Sequence, residues 1–312
     1  MPKQKKSTVL VTGGAGFIGS QLVDRLIKEG HHVIVVDNLS TGKKEFINKK
    51  AEFHQLDIIS ADITELIINK KPEFVFHVAA QKSVRYSVAY PIQDAETNIH
   101  GALRVLEGCI IANVKKLIFS SSGGAIYHGL EIIPTPEEVP CFPKSPYGVA
   151  KLSFELYLHA ACHNYGMNYL ALRYANVYGP RQDPKGEAGI MGIFTENLLA
   201  GEPIFINGDG KQTRDFVYVD DVIEANILAM GEDKHGIYNI GTGKETDMNQ
   251  VAKIIAQAVG SKTKPIHRDP VAGEERRSAL DCARAKEVLG WKPTVTIEEG
   301  VARTVAWFRN KK

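Results

Sequence analysis

The sequence predicts an α/β fold, a doubly wound parallel sheet followed by a smaller C-terminal α/β lobe. Two observations predict it. Short continuous apolar runs alternate with amphipathic stretches through the first half of the chain, and near Gly179 the pattern gives way to a polar, glycine-rich loop. An apolar run that does not alternate with polar residues is covered on both faces, as a strand is in a parallel sheet wrapped by helices. In order, "TVLVT" from Thr8 reads as a strand, "FIGSQLVDRLIKEG" from Phe17 as a helix and "HVIVVD" ending at Asp37 as a second strand. "EFVFHVAA" and "KKLIFSSS" continue the series, with amphipathic segments between them. After "GPRQDPKGEAG", "GIFTENLLAG" reads as a helix and "PIFING" as a strand. "DFVYVDDVIEANILAM" is a strand-to-helix unit returning to the main sheet, and the tail from about Glu245 is mostly helical. The expected domains are 1–178, rejoined by 216–242, and a lobe over 179–312.

Composition excludes several classes. A chain of 312 residues with 44% hydrophobic and 24% charged residues can bury a large core as a soluble globular protein. A net charge of +2, with "KQKK" near the start as its densest basic run, gives no electrostatic footprint for nucleic acid. No stretch is long enough to span a membrane or to serve as a signal peptide. Cys109, Cys141, Cys162 and Cys282 are scattered and form no C-x-x-C pair, so neither a disulfide framework nor a metal site is expected, and a cytoplasmic location fits.

Two motifs carry chemistry. "VLVTGGAGFIGS" closes a strand and opens a helix, with Gly13, Gly16 and Gly19 at three-residue spacing. Glycine lets the backbone approach a pyrophosphate, and the helix N-terminus offers amide donors and positive partial charge. This context makes the sheet Rossmann-type. Asp37, ending the second strand, stands where a carboxylate accepts from an adenosine ribose and repels a 2′-phosphate, which favours NAD over NADP, with Lys43 and Lys44 as the reservation. Asp57 in "HQLDI" either faces the adenine or caps a helix. In "SPYGVAKLSFE", Ser145 is the N-cap and Pro146 the first helical residue, which puts Tyr147 and Lys151 one turn apart on one face.

Taken together, "TGGAGFIG", "DNLSTG", "HVAAQ", "SSS", "YGVAK" and "RYANVYGPRQ" resemble the extended short-chain dehydrogenase/reductases, and within them the UDP-glucose (UDP-galactose) 4-epimerase branch. The resemblance covers nearly the whole chain in order. It implies that Tyr147 and Lys151 are the family's Y-x-x-x-K pair, that Ser122 is the hydroxyl partner, and that Asn98 belongs to the active-site region. For the cofactor it adds Phe17, Ile18, Asn38, Ser40, Thr41, Gly42, Ile58, Ala79, Ala80, Gln81 and Tyr174 to the residues above. For the UDP-sugar it implies Asn176 near the pyrophosphate, Arg214 on a phosphate, and the backbone of Ile204, Phe205 and Ile206 along the uracil. Ser83, Arg277 and Ser278 complete the set. Three departures stand out. Gly123 and Gly124 lengthen the loop before Tyr127 by one residue, so Ser121 is the fallback for Ser122. His128 replaces a usual glycine, and Val271 replaces an expected arginine, with Arg268, Arg276 or Arg277 as possible substitutes.

The implied reaction is epimerisation of a UDP-hexose at C4, through a transient 4-keto sugar with NAD retained. Lys151, together with an oxidised nicotinamide, would favour the Tyr147 phenolate by charge and would hold the nicotinamide ribose, while Ser122 binds the sugar hydroxyl. UDP-N-acetylglucosamine or UDP-glucuronate is the alternative substrate. A 4,6-dehydratase would need an acidic pair where Gly124 and Ala125 stand, and a non-catalytic NAD-binding or RNA-associated scaffold is the remote alternative. The resemblance also implies a homodimer through two helices, from about Ile92 to Ala112 and from Pro146 to Asn164, although the same apolar faces would serve to cover the sheet.

Overall fold

The computed structural model describes residues 6–184, 189–271 and 273–311. Its first half alternates strands and helices. The strands are β1 (Thr8–Thr12), β2 (His32–Asp37), β3 (Glu52–Gln55), β4 (Phe74–His77), β5 (Lys116–Ser122) and β6 (Tyr169–Tyr174). The helices are α1 (Phe17–Glu29), α2 (Asp62–Lys70), α3 (Val84–Ala89), α4 (Pro91–Ala95), α5 (Ala102–Ile111), the single turn α6 (Gly123–Ile126) and α7 (Pro146–Tyr165). The second half holds β7 (Asn176–Tyr178), α8 (Ile190–Ala200), β8 (Phe205–Asn207), β9 (Thr213–Arg214), β10 (Phe216–Tyr218) and α9 (Val219–Gly231). Then come β11 (Gly236–Ile240), β12 (Thr246–Asp247), α10 (Met248–Val259), β13 (Ile266–Arg268), α11 (Ala283–Leu289) and α12 (Ile297–Asn310).

Seven strands form one parallel sheet in the order β11-β6-β5-β4-β1-β2-β3, with Val9 beside Val33 and Val11 beside Val35. The chain begins in the middle, at β1, and winds outward in both directions. Alternate residues of each strand feed opposite cores. Val9, Val11, Val33 and Val35 pack with Leu22, Val23 and Leu26 of α1, while Leu10, Ile34, Val36 and Leu117 pack with Ile63 and Ile67 of α2 and Phe154 of α7. Both faces are therefore dry, which is why the strands read as unbroken apolar runs; each such side chain contributes about 1.5–3 kcal/mol by leaving water. The C-terminal lobe packs α8, α10 and α12 on one another and adds three two-stranded ribbons, β7–β10, β9–β12 and β8–β13.

Two features differ from the expected elements. The return to the sheet is made by α9, which packs on α1, and by β11 at the sheet edge, whereas β10 pairs with β7 in a separate ribbon. The helix expected from Ile92 to Ala112 is not uniform, because residues Glu96–Gly101 form a π-helical turn between α4 and α5. The wider turn coincides with Asn98, whose side chain is drawn to the loop after β4 instead of following the helical face.

Candidate active site

The carboxyl ends of β1, β2 and β4 meet around the glycine motif, at the switch point of the strand order where α/β sheets bind ligands. Gly13 adopts φ +71°, donates to Val36 O at 2.7 Å, and lies so close to the loop after β4 that a Cβ would come 2.7 Å from Ala79 N. A Cβ on Gly19 would collide with Gly13 O, so α1 can approach the turn only with glycine there. Gly16 caps α1 without a side-chain acceptor, and no acidic residue stands in the first turn. Half-buried Phe17 and Ile18 therefore begin a helix whose first amides carry uncompensated positive partial charge.

Asp37 is buried and accepts from Ala15 N at 3.0 Å and Leu39 N at 2.8 Å, tying the loop after β2 to the glycine turn. A Cβ on Gly42 would press 2.6 Å from Asp37 Oδ1. Asn38 donates to Asp57 at 2.8 Å and accepts from Ser40 N, so Asp57, which also accepts from Ile59 N, braces the same loop. Ser40 and Thr41 are exposed on it, and Ile58 is buried beneath it. A turn built around glycine, a helix end without a capping acid and a carboxylate at the tip of β2 fit a dinucleotide of the NAD type. Gly13, Gly16 and the first amides of α1 would hold its pyrophosphate, and Asp37 its adenosine ribose.

The second half of the site is made by β5 and α7. Ser145 accepts from Gly148 N at 3.2 Å and Pro146 opens the helix, as the sequence predicts. Gly148 lets α7 press on α6, where a Cβ would lie 2.6 Å from Ala125 O. This contact sets Tyr147 beside the end of β5, close enough to Ser122 for that hydroxyl to favour the phenolate. Ser121 points elsewhere and donates to Glu155 at 2.5 Å, so Ser122 is the serine that reaches the tyrosine. Gly123, in the stretch that with Gly124 lengthens this loop by one residue, packs so close to Leu280 that a Cβ would meet its side chain at 2.8 Å. Lys151 is buried, donates to Ser120 O at 2.9 Å, and lies over the rings of Phe119 and Tyr147 at 4.6 and 5.7 Å.

Desolvation governs the electrostatics of the tyrosine and the lysine. Burial pushes the Tyr147 phenol up to about 12, against the Ser122 hydrogen bond and with the Asp94 charge. Burial likewise pulls Lys151 down to about 8, against the charges of Asp94 and Glu155. Desolvation dominates both groups, so a phenolate would need the Lys151 charge and the bound cofactor's positive ring together.

Asn98 donates to Gln81 O and accepts from Gln81 N, fixing the loop that carries Ala79, Ala80 and Ser83; Ser83 caps α3 by accepting from Tyr86 N at 2.9 Å. The Tyr174 hydroxyl is held by Ser120 and Asn226 inside the core. Asp94, which bonds both Gln81 and Asn98, belongs to none of the sequence motifs. The spacing of Asp94 and Asn98, four residues apart in "DAETN", is the signal that could have found it.

On the lobe side, Asn176 N donates to Asp215 O at the start of the β7–β10 ribbon. Asp215 is buried and accepts from Thr242, Gly243 and Leu280, gathering three segments around Arg214. Arg214 donates to Thr213 O and Glu275 O. Ile204 and Ile206 turn their side chains into the core, while Phe205 is half-buried with the Arg268 guanidinium 3.4 Å from its ring centre. Arg276 pairs with Asp209 and Arg277 with Glu245, both at the surface; Val271 is exposed. Ser278 is half-buried, two residues before the Leu280 that packs on Gly123.

A family model for the NAD dependent epimerase/dehydratase family matches residues 9–241. UDP-glucose 4-epimerase of Mycolicibacterium smegmatis is 47% identical over 308 residues, covering 97% of this chain and 98% of that protein. The crystal structure of a Thermotoga maritima UDP-glucose 4-epimerase with UDP-glucose superposes with a TM-score of 0.95 at 52% identity, over 97% of this chain and 99% of that one. The Thermus thermophilus UDP-glucose 4-epimerase complex with NAD superposes at 0.92 and 42% identity, over 98% and 100%. The glycine turn, the Ser122–Tyr147–Lys151 cluster and these full-length likenesses have one reading: the chain belongs to the NAD-dependent epimerase/dehydratase family.

Proposed function

We propose that the protein is a UDP-glucose 4-epimerase that interconverts UDP-glucose and UDP-galactose. The observation that carries this reading is the gathering of Ser122, Tyr147 and Lys151 at the carboxyl end of β5, two strands from the glycine turn, in a chain alike end to end to epimerases of that name. NAD, when bound, supplies a reversible acceptor for the C4 hydride, so the sugar passes through a 4-keto form with no net oxidation. Tyr147 removes the proton from O4 and later returns it. Ser122, beside the phenol, would hold the sugar hydroxyl in line with it. Lys151, fixed by Ser120 O, keeps a positive charge beneath the tyrosine ring. Residues 1–178 with 216–242 would bind NAD, and the remainder the UDP-sugar. Arg214 would take one phosphate, and Arg268, which has no carboxylate partner among the described residues, is the candidate to replace the arginine missing at Val271. Neither Gly124 nor Ala125 can donate a proton, which argues against dehydration. Incubation with a panel of UDP-hexoses, with C4 inversion followed by NMR, tests the reading: inversion of UDP-glucose supports it, and a dehydrated product refutes it.

The position of Ser278 favours a second substrate. The resemblance implies that the residue three before Asp281, here Ser278, walls the space beside the C2 substituent, where a serine would leave room that a tyrosine would fill. UDP-N-acetylglucosamine should be epimerised alongside UDP-glucose, and Ser278→Tyr should suppress the former selectively, by about tenfold to a hundredfold in kcat/KM, the scale of forcing extra atoms into a filled pocket. An unchanged ratio of the two substrates in the variant would place the gate elsewhere.

The protein is further read as a cytoplasmic homodimer. Its four cysteines stand unpaired, in keeping with a reducing compartment. Ile92 of α4 is 70% exposed and Leu156 of α7 63% exposed, with Val88, Tyr90 and Tyr157 also open to solvent. Ile92, Leu156 and Tyr157 lie on the two helices named for the interface, Val88 on α3 and Tyr90 at the turn between α3 and α4, and together they form an apolar surface suited to a second copy. Sedimentation should give twice the chain mass, reduced to one chain mass by the double variant Ile92→Glu/Leu156→Glu. A monomeric parent protein would refute the pairing.

A further inference from the structure

Asp94 lies on α4 and is almost completely buried, at 1% exposure. Its Oδ1 accepts from Gln81 Nε2 at 2.7 Å and from Asn98 Nδ2 at 2.8 Å. Its Oδ2 is buried with no hydrogen-bond partner, an unusual condition for a carboxylate oxygen. Helix α4 packs directly on α7, the helix that carries Tyr147 and Lys151. Lys151 in turn makes one hydrogen bond, to Ser120 O, and otherwise lies over aromatic rings. A buried ammonium with donors to spare and a buried carboxylate with an oxygen to spare thus lie on two helices packed on each other, near enough for the carboxylate to favour the ammonium without a direct salt bridge.

We propose that Asp94 is a positioning residue of the active site: it is the buried counter-charge that keeps Lys151 protonated, while its other oxygen locks Gln81 and Asn98. This assignment rests on the epimerase reading for its place in the reaction. The titratable groups on the elements packed around Asp94 are Arg85 and Tyr86 on α3, Tyr90 before α4, Glu96 and His100 in the π turn, and, on α7, Tyr147, Lys151 and Glu155 followed by Tyr157, His159, Cys162, His163 and Tyr165 toward its far end. His77, on β4 beside Phe119, is held neutral by burial and by the Lys151 charge. Of these groups, Tyr147 and Lys151 are the two whose ionisation Asp94 enters. Burial pushes the Asp94 carboxyl up, and the Gln81 and Asn98 hydrogen bonds and the Lys151 charge hold it back.

The sign of the effect separates this role from a structural one. A negative charge at Asp94 raises the pKa of Lys151 by favouring the ammonium, and raises that of Tyr147 by opposing the phenolate. Catalysis needs the tyrosine as base and the lysine as cation, so the two ionisations bound the active pH range as a coupled pair. Asp94→Asn keeps an acceptor for Gln81 and Asn98 but removes the charge. Both limbs of the pH profile of kcat/KM should move to lower pH by about 1 unit, the scale of removing a nearby charge, with fold and bound NAD retained. Limbs that stay in place, whether or not the rate falls, overturn the proposal. Asp94→Ser gives the same reading should the asparagine variant fail to fold. A second readout does not depend on turnover. The phenolate absorbance of Tyr147 in the NAD-loaded protein, taken as the difference from Tyr147→Phe, should appear at lower pH when Asp94 is neutralised. If that titration moves but no UDP-hexose is epimerised, the epimerase reading fails and the charge assignment stands. If epimerisation is intact and neither titration moves, the assignment fails alone.

Discussion

Tyr147→Phe lowers epimerase turnover by at least about a hundredfold, the usual scale for loss of a positioned acid/base group, while fold and bound NAD remain. The ring stays in place because its packing is independent of the hydroxyl: the helix start is fixed by Ser145, Pro146 and the Gly148 contact with α6. What is lost is the group beside Ser122 that can take the O4 proton. Phenylalanine also relieves desolvation of the phenol, so the variant should be no less stable than the parent. Near-normal turnover in a folded variant would remove Tyr147 from the mechanism and leave no other group in the site with both position and range for the proton.

The largest stability effect is expected at Glu155, one turn beyond Lys151. Glu155 and Arg173 are both buried and joined by hydrogen bonds of 2.5–3.2 Å, with Ser121 donating to the same carboxylate. Arg173 continues to Tyr127, and Tyr127 to Asn239 on β11. Glu155→Leu strands the guanidinium in a dry core, which costs about 3–5 kcal/mol; the urea midpoint should fall accordingly. Because Ser121 adjoins Ser122 on β5, turnover should fall as well. A midpoint within the range of an ordinary surface substitution would show that water or a rearranged side chain satisfies Arg173, and the network would lose its assigned role.

The sheet is legible in the sequence because its strands are buried on both faces, and a strand between two dry layers needs an unbroken apolar run such as "HVIVVD". The glycine turn and α7 are legible because Gly19, Gly148 and the Ser145–Pro146 cap are local requirements of backbone approach and helix initiation. What escapes the sequence depends on contacts between distant segments. The π turn at Asn98 exists because the loop after β4, seventeen residues earlier, takes both ends of the Asn98 amide. Asp94 reads as one acid on an amphipathic helix until α4 is set against α7. The tyrosine's titration escapes for a related reason: charge spacing along a helix is visible in a sequence, but the depth of burial that raises the phenol is not.

The most direct test of the account follows the hydrogen at C4. UDP-glucose deuterated at C4 is incubated with the purified protein, without added NAD, and the products are resolved by NMR. The account predicts UDP-galactose that still carries deuterium at the inverted C4, because the hydrogen removed from one face is returned to the other within a closed site. Loss of the deuterium to water, or inversion at any other carbon, would contradict it.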